Sequence, residues 1–233
     1  MKISRVYIYL KFKNLFLSLF LNNNLSKKDV SKKLLEMTNK KYIEFFGMCR
    51  TGLIVILEFL KQKKPHKNEI IACSYNLKEM IDIMKNYKFK INLIDIDSDL
   101  GVMSIDKIKE KISNKTAALL YTNMFNDYEH AETIKKLCEE NDILLIEDCA
   151  IYFGNYTLKE NKKIYAGSIG DVSIFSFGIM KNICAIFGGS LVTSNEEIYK
   201  FATKKNSEFK KFPNFLYFKK ILLYVVLKIS LSR

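Results

Sequence analysis

The sequence is poor in tryptophan, proline and glycine. Its 233 residues include no tryptophan, two prolines and nine glycines, whereas hydrophobic residues make up 48%. This composition excludes a fibrous chain and is unlike that of disordered proteins. The length suffices for one full-sized domain with a buried core and for part of a second.

Cysteines are few, scattered and odd in number. The five thiols are at Cys49, Cys73, Cys138, Cys149 and Cys184, without a CxxC pair. This spacing argues against a disulfide framework and against a structural zinc site, and it fits a reducing compartment. We therefore predict a cytoplasmic protein without a metal site, in which most thiols are small core side chains.

Acidic residues are scarce at both ends of the chain. The net charge is +13, but residues 1–41 and 200–233 carry +8 each, which leaves residues 42–199 at −3. The basicity therefore belongs to the flanks, while the centre is close to neutral. The basic residues form no aromatic-interleaved patch on a recognisable nucleic-acid-binding module, so a nucleic-acid partner is not predicted.

Long uncharged apolar runs are missing as well. Lysines interrupt the apolar stretches 6–21 and 212–230, so neither reaches the roughly 18 uncharged residues that favour a membrane span. The first residues lack a small-residue cleavage site, so no signal peptide is predicted. Two interpretations of the flanks stay open. They form helices that pack on each other or on a partner subunit, or helices that lie on the anionic inner face of a membrane.

Between the flanks, short apolar runs alternate with amphipathic helical patterns. Strands are predicted at 69–74, 90–97, 116–122, 142–148, 171–177 and 188–194. Helices are predicted at 50–61, 76–87, 104–112, 128–141 and 195–205, the third and fifth capped by Ser104 and Asn195. The alternation predicts an α/β fold with a mainly parallel sheet covered on both faces.

Ligand sites in such sheets lie beyond the carboxyl ends of the strands, and polar residues cluster there. Arg50 and Thr51 open a helix, Asp148 ends a buried strand, and Ser176 and Lys181 follow another. Each alone has an ordinary structural explanation, such as a helix cap, an ion pair or a surface lysine. A lysine inside an apolar segment is nevertheless costly unless it is exposed, paired or chemically used, for example in a covalent bond to a carbonyl cofactor.

Taken together, these motifs match a known pattern. "IEDCAIYFG", "GSIGDVSIFSFGIMK" and "GGSLVTSNEE", in this order and spacing, resemble the DegT/DnrJ/EryC1/StrS family of sugar aminotransferases, and the likeness covers residues 47–205. The resemblance implies a three-layer sandwich with a mainly parallel central sheet. This is the large domain of pyridoxal-phosphate enzymes that are similar to aspartate aminotransferase. It also implies that the small C-terminal domain of the family is largely missing.

The chain is therefore expected to have three parts. Residues 1–41 form a basic, apolar, helical N-terminal segment, and residues 42–205 form the cofactor-binding large domain. Residues 206–233 form a basic apolar tail at the start of a truncated C-terminal region.

The resemblance implies the chemical roles of two residues. Lys181 would bond covalently to the aldehyde of pyridoxal 5'-phosphate and then act as general base and acid. Asp148 would pair with the pyridine nitrogen and keep it protonated, so that the ring can accept electrons.

Other residues would hold the cofactor. The Ser176 hydroxyl would contact its phosphate, and the helix opened by Arg50 and Thr51 would offer free N–H groups to the same anion. Tyr75 matches the family position that stacks on the ring. Ile151 stands where the family usually has Gln or His, and it cannot donate a hydrogen bond to the ring oxygen.

The implied function is amino transfer from an amino acid such as glutamate to a keto-sugar, nucleotide-linked, in polysaccharide or glycan biosynthesis, by a homodimer. A related branch dehydrates such sugars, but it carries histidine in place of the lysine, so Lys181 favours transamination. The alternative is a catalytically impaired relative that acts as a binding or membrane-surface module. Ile151, the missing domain and the basic apolar ends motivate that alternative.

Overall fold

The computed structural model describes residues 24–97, 101–122, 128–179, 181–210 and 213–231. The helices are α1 (Asn24–Thr38), α2 (Cys49–Lys63), α3 (Lys78–Asn86), α4 (Ile105–Lys111), α5 (Tyr128–Glu140), α6 (Glu196–Glu208) and α7 (Asn214–Leu231). The strands are β1 (Tyr42–Phe46), β2 (Glu69–Cys73), β3 (Lys90–Ile94), β4 (Thr116–Thr122), β5 (Leu144–Asp148), β6 (Tyr156–Lys159), β7 (Lys162–Tyr165), β8 (Val172–Ser176) and β9 (Gly189–Thr193).

Seven strands form one sheet in the order β1-β9-β8-β5-β4-β2-β3. From β3 to β8 all neighbours are parallel, whereas β9 is antiparallel to both β8 and β1. The central strands are continuous apolar runs because helices cover both faces. One face packs against α2, α3 and α6, and the other against α1, α4 and α5. The predicted α/β sandwich with a mainly parallel sheet is confirmed.

The predicted helix caps are also present. The Ser104 hydroxyl accepts a hydrogen bond from Lys107 N at 3.4 Å at the start of α4. Asn195 Oδ1 accepts from Glu197 N at 2.9 Å and from Ile198 N at 3.1 Å at the start of α6. Both side chains satisfy backbone donors that a helix start leaves without an intrahelical partner.

Two features of the fold have no strong signal in the sequence. Strand β1 is mostly half-buried, and its partner β9 lies far away along the chain. The hairpin of β6 and β7 is largely exposed and turns at Glu160 and Asn161, both with positive φ, without the glycine that usually marks such a turn.

The apolar flanks lie partly within the described residues. Helix α1 belongs to the predicted N-terminal segment, of which residues 1–23 lie outside the described part, and α7 covers most of the C-terminal stretch. Helix α6 continues to Glu208, beyond the boundary proposed at residue 205, and the three-part division stays a prediction. In the described part of the chain, no helix is long and apolar enough to cross a membrane.

The start of β9 touches the start of α2 through backbone atoms. A Cβ on Gly189 would lie 2.5 Å from Cys49 Cα and 2.8 Å from Met48 C, and it would overlap Cys49 N. Gly188, just before, has a φ of +124°, which side chains rarely permit. The glycine pair therefore allows the start of α2 to pack close to Ser176, the strand partner of Gly189.

A buried carboxylate organises the turn that leads into β8. Glu147 is fully buried, and its carboxylate accepts hydrogen bonds from Gly167 N at 3.2 Å, Ile169 N at 2.9 Å and Gly170 N. The Ser173 hydroxyl lies 3.3 Å from it and donates its shorter bond, 2.8 Å, to Gly167 O. Three backbone donors thus satisfy an acid that would otherwise be very costly to bury. The contacts tie the 167–170 turn to β5.

We predict that Gly189→Ala lowers the free energy of unfolding by at least about 2 kcal/mol, because the added methyl meets backbone atoms that cannot rotate away. Gly47→Ala is the matched control, since a Cβ there has nothing within 4 Å. Urea titrations followed by circular dichroism measure both. Equal midpoints for the two variants would contradict the packing argument.

We also predict that Glu147→Gln lowers the free energy of unfolding by about 1–3 kcal/mol, because the amide places an N–H₂ group against backbone donors. Glu110→Gln, on the exposed face of α4, should change it by less than about 0.5 kcal/mol. The same urea titration compares them. A Glu147→Gln protein as stable as the Glu110→Gln protein would show that the buried carboxylate is not needed.

Candidate functional site

A cavity of about 440 Å³ opens at the carboxyl ends of the parallel strands. Its walls come from the segment after β2, the ends of β4 and β5, and the loop after β8. The lining residues are Ser74, Tyr75, Asn76, Leu77, Thr122, Asp148, Ala150, Ile151 and Lys181. The volume is in the range of small-molecule sites. Three of the predicted residues, Tyr75, Asp148 and Lys181, thus meet in one cavity.

Asp148 is a buried acid at the end of β5, with 6% of its surface exposed. Its Oδ1 accepts a hydrogen bond from Ala150 N at 3.0 Å. Burial raises the pKa of this carboxyl, while the Ala150 N–H and the positive charge of Lys181 act in the opposite direction. An ionised carboxylate at such a position is stabilised by a cationic partner, and a protonated pyridine nitrogen has the required charge.

Lys181 reaches the cavity from a tight turn after β8. Its backbone N–H donates to Gly178 O at 3.1 Å. A Cβ on Gly178 would lie 3.7 Å from Ser176 Oγ and 3.9 Å from Lys181 Cγ, so the side chains of Ser176 and Lys181 approach the same point of the loop. The amine of Lys181 and the carboxylate of Asp148 therefore line the same cavity and interact electrostatically.

The predicted phosphate-binding residues Arg50, Thr51 and Ser176 do not line this cavity. Arg50 is exposed in the first turn of α2, and Ser176 is half-buried at the end of β8. Thr51 lines a second cavity, of about 560 Å³, together with Met48. Met48 is the N-cap of α2 and makes no side-chain cap hydrogen bond, and Thr51 N donates to Met48 O at 3.1 Å, so it is the Arg50 N–H at this helix start that can serve an anion.

Cys49 connects the start of α2 with the cavity. Its thiol is 9% exposed, and burial raises the thiol pKa well above its usual value. The negative charge of Asp148 also raises this pKa, whereas Lys181 and Arg50 lower it. The helix start therefore lies within electrostatic range of both reactive groups.

Two cavity residues have no motif that singles them out in the sequence. Asn76 Nδ2 donates to Thr122 Oγ1 at 2.9 Å, and Asn76 Oδ1 accepts from Leu77 N at 2.7 Å. Thr122 is the last residue of β4, and Asn76 follows β2. The rule that polar residues at strand ends form the site could have found both.

The remaining wall is largely apolar. Tyr75 and Leu77 are each 60% exposed and both line the cavity, so the stacking role of Tyr75 stays a prediction. Ile151 is 41% exposed and lines it too, and it presents an aliphatic side chain where the resemblance implies a hydrogen-bond donor.

Comparison with known sequences gives relatives for most of the chain. The profile of the DegT/DnrJ/EryC1/StrS aminotransferase family matches residues 24–211. GDP-perosamine synthase of Escherichia coli O157:H7 is 35% identical over 165 residues, which are 70% of this chain and 44% of that protein. GDP-4-keto-6-deoxy-D-mannose 3-dehydratase of Yersinia pseudotuberculosis is 28% identical over 172 residues, 69% of this chain and 43% of that protein. The chain thus spans less than half the length of these relatives.

Solved structures share the fold. Helicobacter pylori PseC, an aminotransferase involved in the biosynthesis of pseudoaminic acid, superposes with a TM-score of 0.74 at 19% identity, over 91% of this chain and 58% of that one. E. coli GDP-4-keto-6-deoxy-D-mannose-3-dehydratase with bound hydrated PLP gives 0.68 at 21%, over 87% and 54%. With the matched profile, the chain belongs to the DegT/DnrJ/EryC1/StrS aminotransferase family.

Proposed function

We propose that this chain binds pyridoxal 5'-phosphate in the cavity at the carboxyl ends of the parallel strands and serves amino transfer to a nucleotide-linked keto-sugar, with an amino acid such as glutamate as donor. The observation that carries the proposal is the pair of Asp148 and Lys181, an acid and an amine that line one cavity. The substrate class is supported by the name of the GDP-perosamine synthase relative. Glycan biosynthesis is the corresponding pathway.

Asp148 would hold the pyridine nitrogen. Its burial makes a cationic partner favourable, and the Ala150 N–H fixes one carboxylate oxygen and leaves the other for the ring. When bound, pyridoxal phosphate supplies an electron sink for the pair left behind when a substrate carbon loses its proton.

Lys181 would act twice. Its Nζ would hold the cofactor by condensing with the aldehyde, with loss of water, and the amine, once displaced by substrate, would take up and return a proton. Lys181 is half-buried and lines the cavity, and its positive charge acts on the Asp148 carboxyl. By the resemblance described above, retention of this lysine favours transamination over dehydration.

The phosphate would lie between the first turn of α2 and the end of β8. Ser176 offers a hydroxyl, and the backbone N–H groups at Arg50 and the uncapped helix start offer donors and a positive dipole end. The Gly189 contact brings these two elements together.

A second candidate function is contact with a membrane surface, and helix α7 supports it. Phe215, Phe218, Leu222, Val226 and Ile229 are 49–74% exposed and recur at helical spacing along one face. An exposed apolar stripe of this length is unusual for a monomer in water.

The charges around this stripe complement an anionic lipid surface. Lys219 is exposed beside it, whereas Lys220 lines the second cavity, and residues 209–233 include no acidic side chain. Ile221 and Tyr224 hold the helix to the body of the protein through Ile186. We propose a cytoplasmic homodimer whose α7 stripe rests on the inner face of the membrane.

We predict that Lys181→Ala abolishes the visible absorbance of protein reconstituted with pyridoxal phosphate. Borohydride reduction followed by mass spectrometry should find the cofactor on Lys181 of the wild type. Lys162→Ala, an exposed lysine of the β6–β7 hairpin, should retain both signals. An unchanged spectrum in Lys181→Ala would overturn the assignment.

We predict that Leu222→Asp reduces co-sedimentation with phosphatidylserine vesicles at least tenfold and that high salt weakens binding of the wild type. Leu158→Asp is the matched control, because Leu158 is 64% exposed on the hairpin, away from α7. The membrane proposal is wrong if the wild type does not co-sediment with the vesicles and Leu222→Asp dissociates a dimer in analytical ultracentrifugation. That result would show that α7 is a subunit interface.

A further inference from the structure

We infer that Asn76 and Thr122 form a positioning pair that orients and stabilises the Asp148 carboxylate. The inference rests on the proposed function, because the benefit of holding this carboxylate arises when a cationic ring lies against it. Neither residue belongs to the motifs that identify the family in this sequence.

The sheet places Thr122 next to Asp148. The two residues are partners in the parallel pairing of β4 and β5, and each is the last residue of its strand. Side chains of paired residues on neighbouring strands lie on the same face, and adjacent strands are about 4.8 Å apart. Both side chains also line the same cavity.

The hydrogen bonds of Asn76 restrict the Thr122 hydroxyl. Asn76 Oδ1 is engaged by Leu77 N, which fixes the amide so that Nδ2 faces Thr122 Oγ1 at 2.9 Å. Because Oγ1 accepts this bond, its single proton must point away from Asn76. The neighbouring acceptor on the β5 side is the Asp148 carboxylate.

The surroundings of Asp148 leave this role open to Thr122. Its partner on β8 is Ile174, an apolar side chain. The charged and titratable groups near it are Lys181 from the loop after β8, Cys49 from α2, on which Arg50 also acts, and Tyr75 from the loop after β2. Within the described residues, Ala150 N is the one donor that reaches the carboxylate.

The Thr122 O–H therefore supplies a second donor, either directly after a small rotation of the side chain or through one bridging water. A donor to the ionised form favours that form and opposes the effect of burial. The pair thus keeps Asp148 charged and aimed at the ring nitrogen.

The test replaces Thr122 with valine, which keeps the shape and removes the hydroxyl. NMR of ¹³C-labelled aspartate follows the titration of Asp148 in the cofactor-free protein, and Asp148→Asn assigns its signal. We expect the Asp148 midpoint to rise by about 0.5–1 pH unit in Thr122→Val. At pH values below the wild-type midpoint, the affinity of Thr122→Val for pyridoxal phosphate should be roughly 3–10-fold lower than that of the wild type.

Three variants separate positioning from general damage. Thr122→Ser keeps the hydroxyl and should restore the midpoint. Asn76→Ala frees the hydroxyl to rotate and should shift the midpoint in the same direction by less, which also tests the inference if Thr122→Val does not fold. Ser74→Ala removes another cavity hydroxyl, one that donates to Asp95, and should leave the midpoint unchanged.

The outcomes distinguish this inference from the proposed function. If Thr122→Val and Asn76→Ala titrate as the wild type does while borohydride still traps the cofactor on Lys181, the positioning role is wrong and the proposed function stands. If the wild type traps no cofactor, the proposed function fails, and the NMR titration still decides whether Thr122 stabilises the carboxylate.

Discussion

The contact between the backbone of Gly189 and that of Met48 and Cys49 is the constraint on which the site depends. Strand β9 lies between β8 and β1 and runs against both, so its first residue is at the edge where the parallel strands end. By touching α2 there without a side chain between them, it brings a helix N-terminus within reach of the loop that carries Lys181. A larger residue would push this helix start away from the loop that carries Lys181.

Two consecutive acids, on opposite faces of the sheet, have different roles. Glu147 and Asp148 point to opposite sides, because side chains alternate along a strand. Glu147 is saturated by the turn before β8 and is part of the scaffold. Asp148 accepts one backbone hydrogen bond and faces the cavity, so its remaining lone pairs are available to Thr122 and to a ligand.

The central strands and their helices were predictable because buried parallel strands are continuous apolar runs, and Asp148, Lys181 and Tyr75 converge as strand-end residues should. Strand β1 is recognisable only through its distant partner β9. Asn76 and Thr122 also follow the strand-end rule, but the hydrogen bond between them was not predictable, since it joins segments 46 residues apart. Thr51 lines a different cavity from Lys181 because of the way α2, α6 and α7 pack. The periodicity of the sequence does not specify this packing.

The buried thiol at the start of α2 has a chemical consequence for a pocket that holds an aldehyde. Cysteine attacks electrophiles as the thiolate, and enclosure at Cys49 keeps its sulfur protonated at neutral pH. The sulfur would therefore be a poor competitor for the carbonyl carbon, although its thiol interacts electrostatically with both Asp148 and Lys181. The Lys181 nitrogen would then attack the aldehyde in preference to the Cys49 sulfur, because the lysine is only half-buried whereas the cysteine is enclosed.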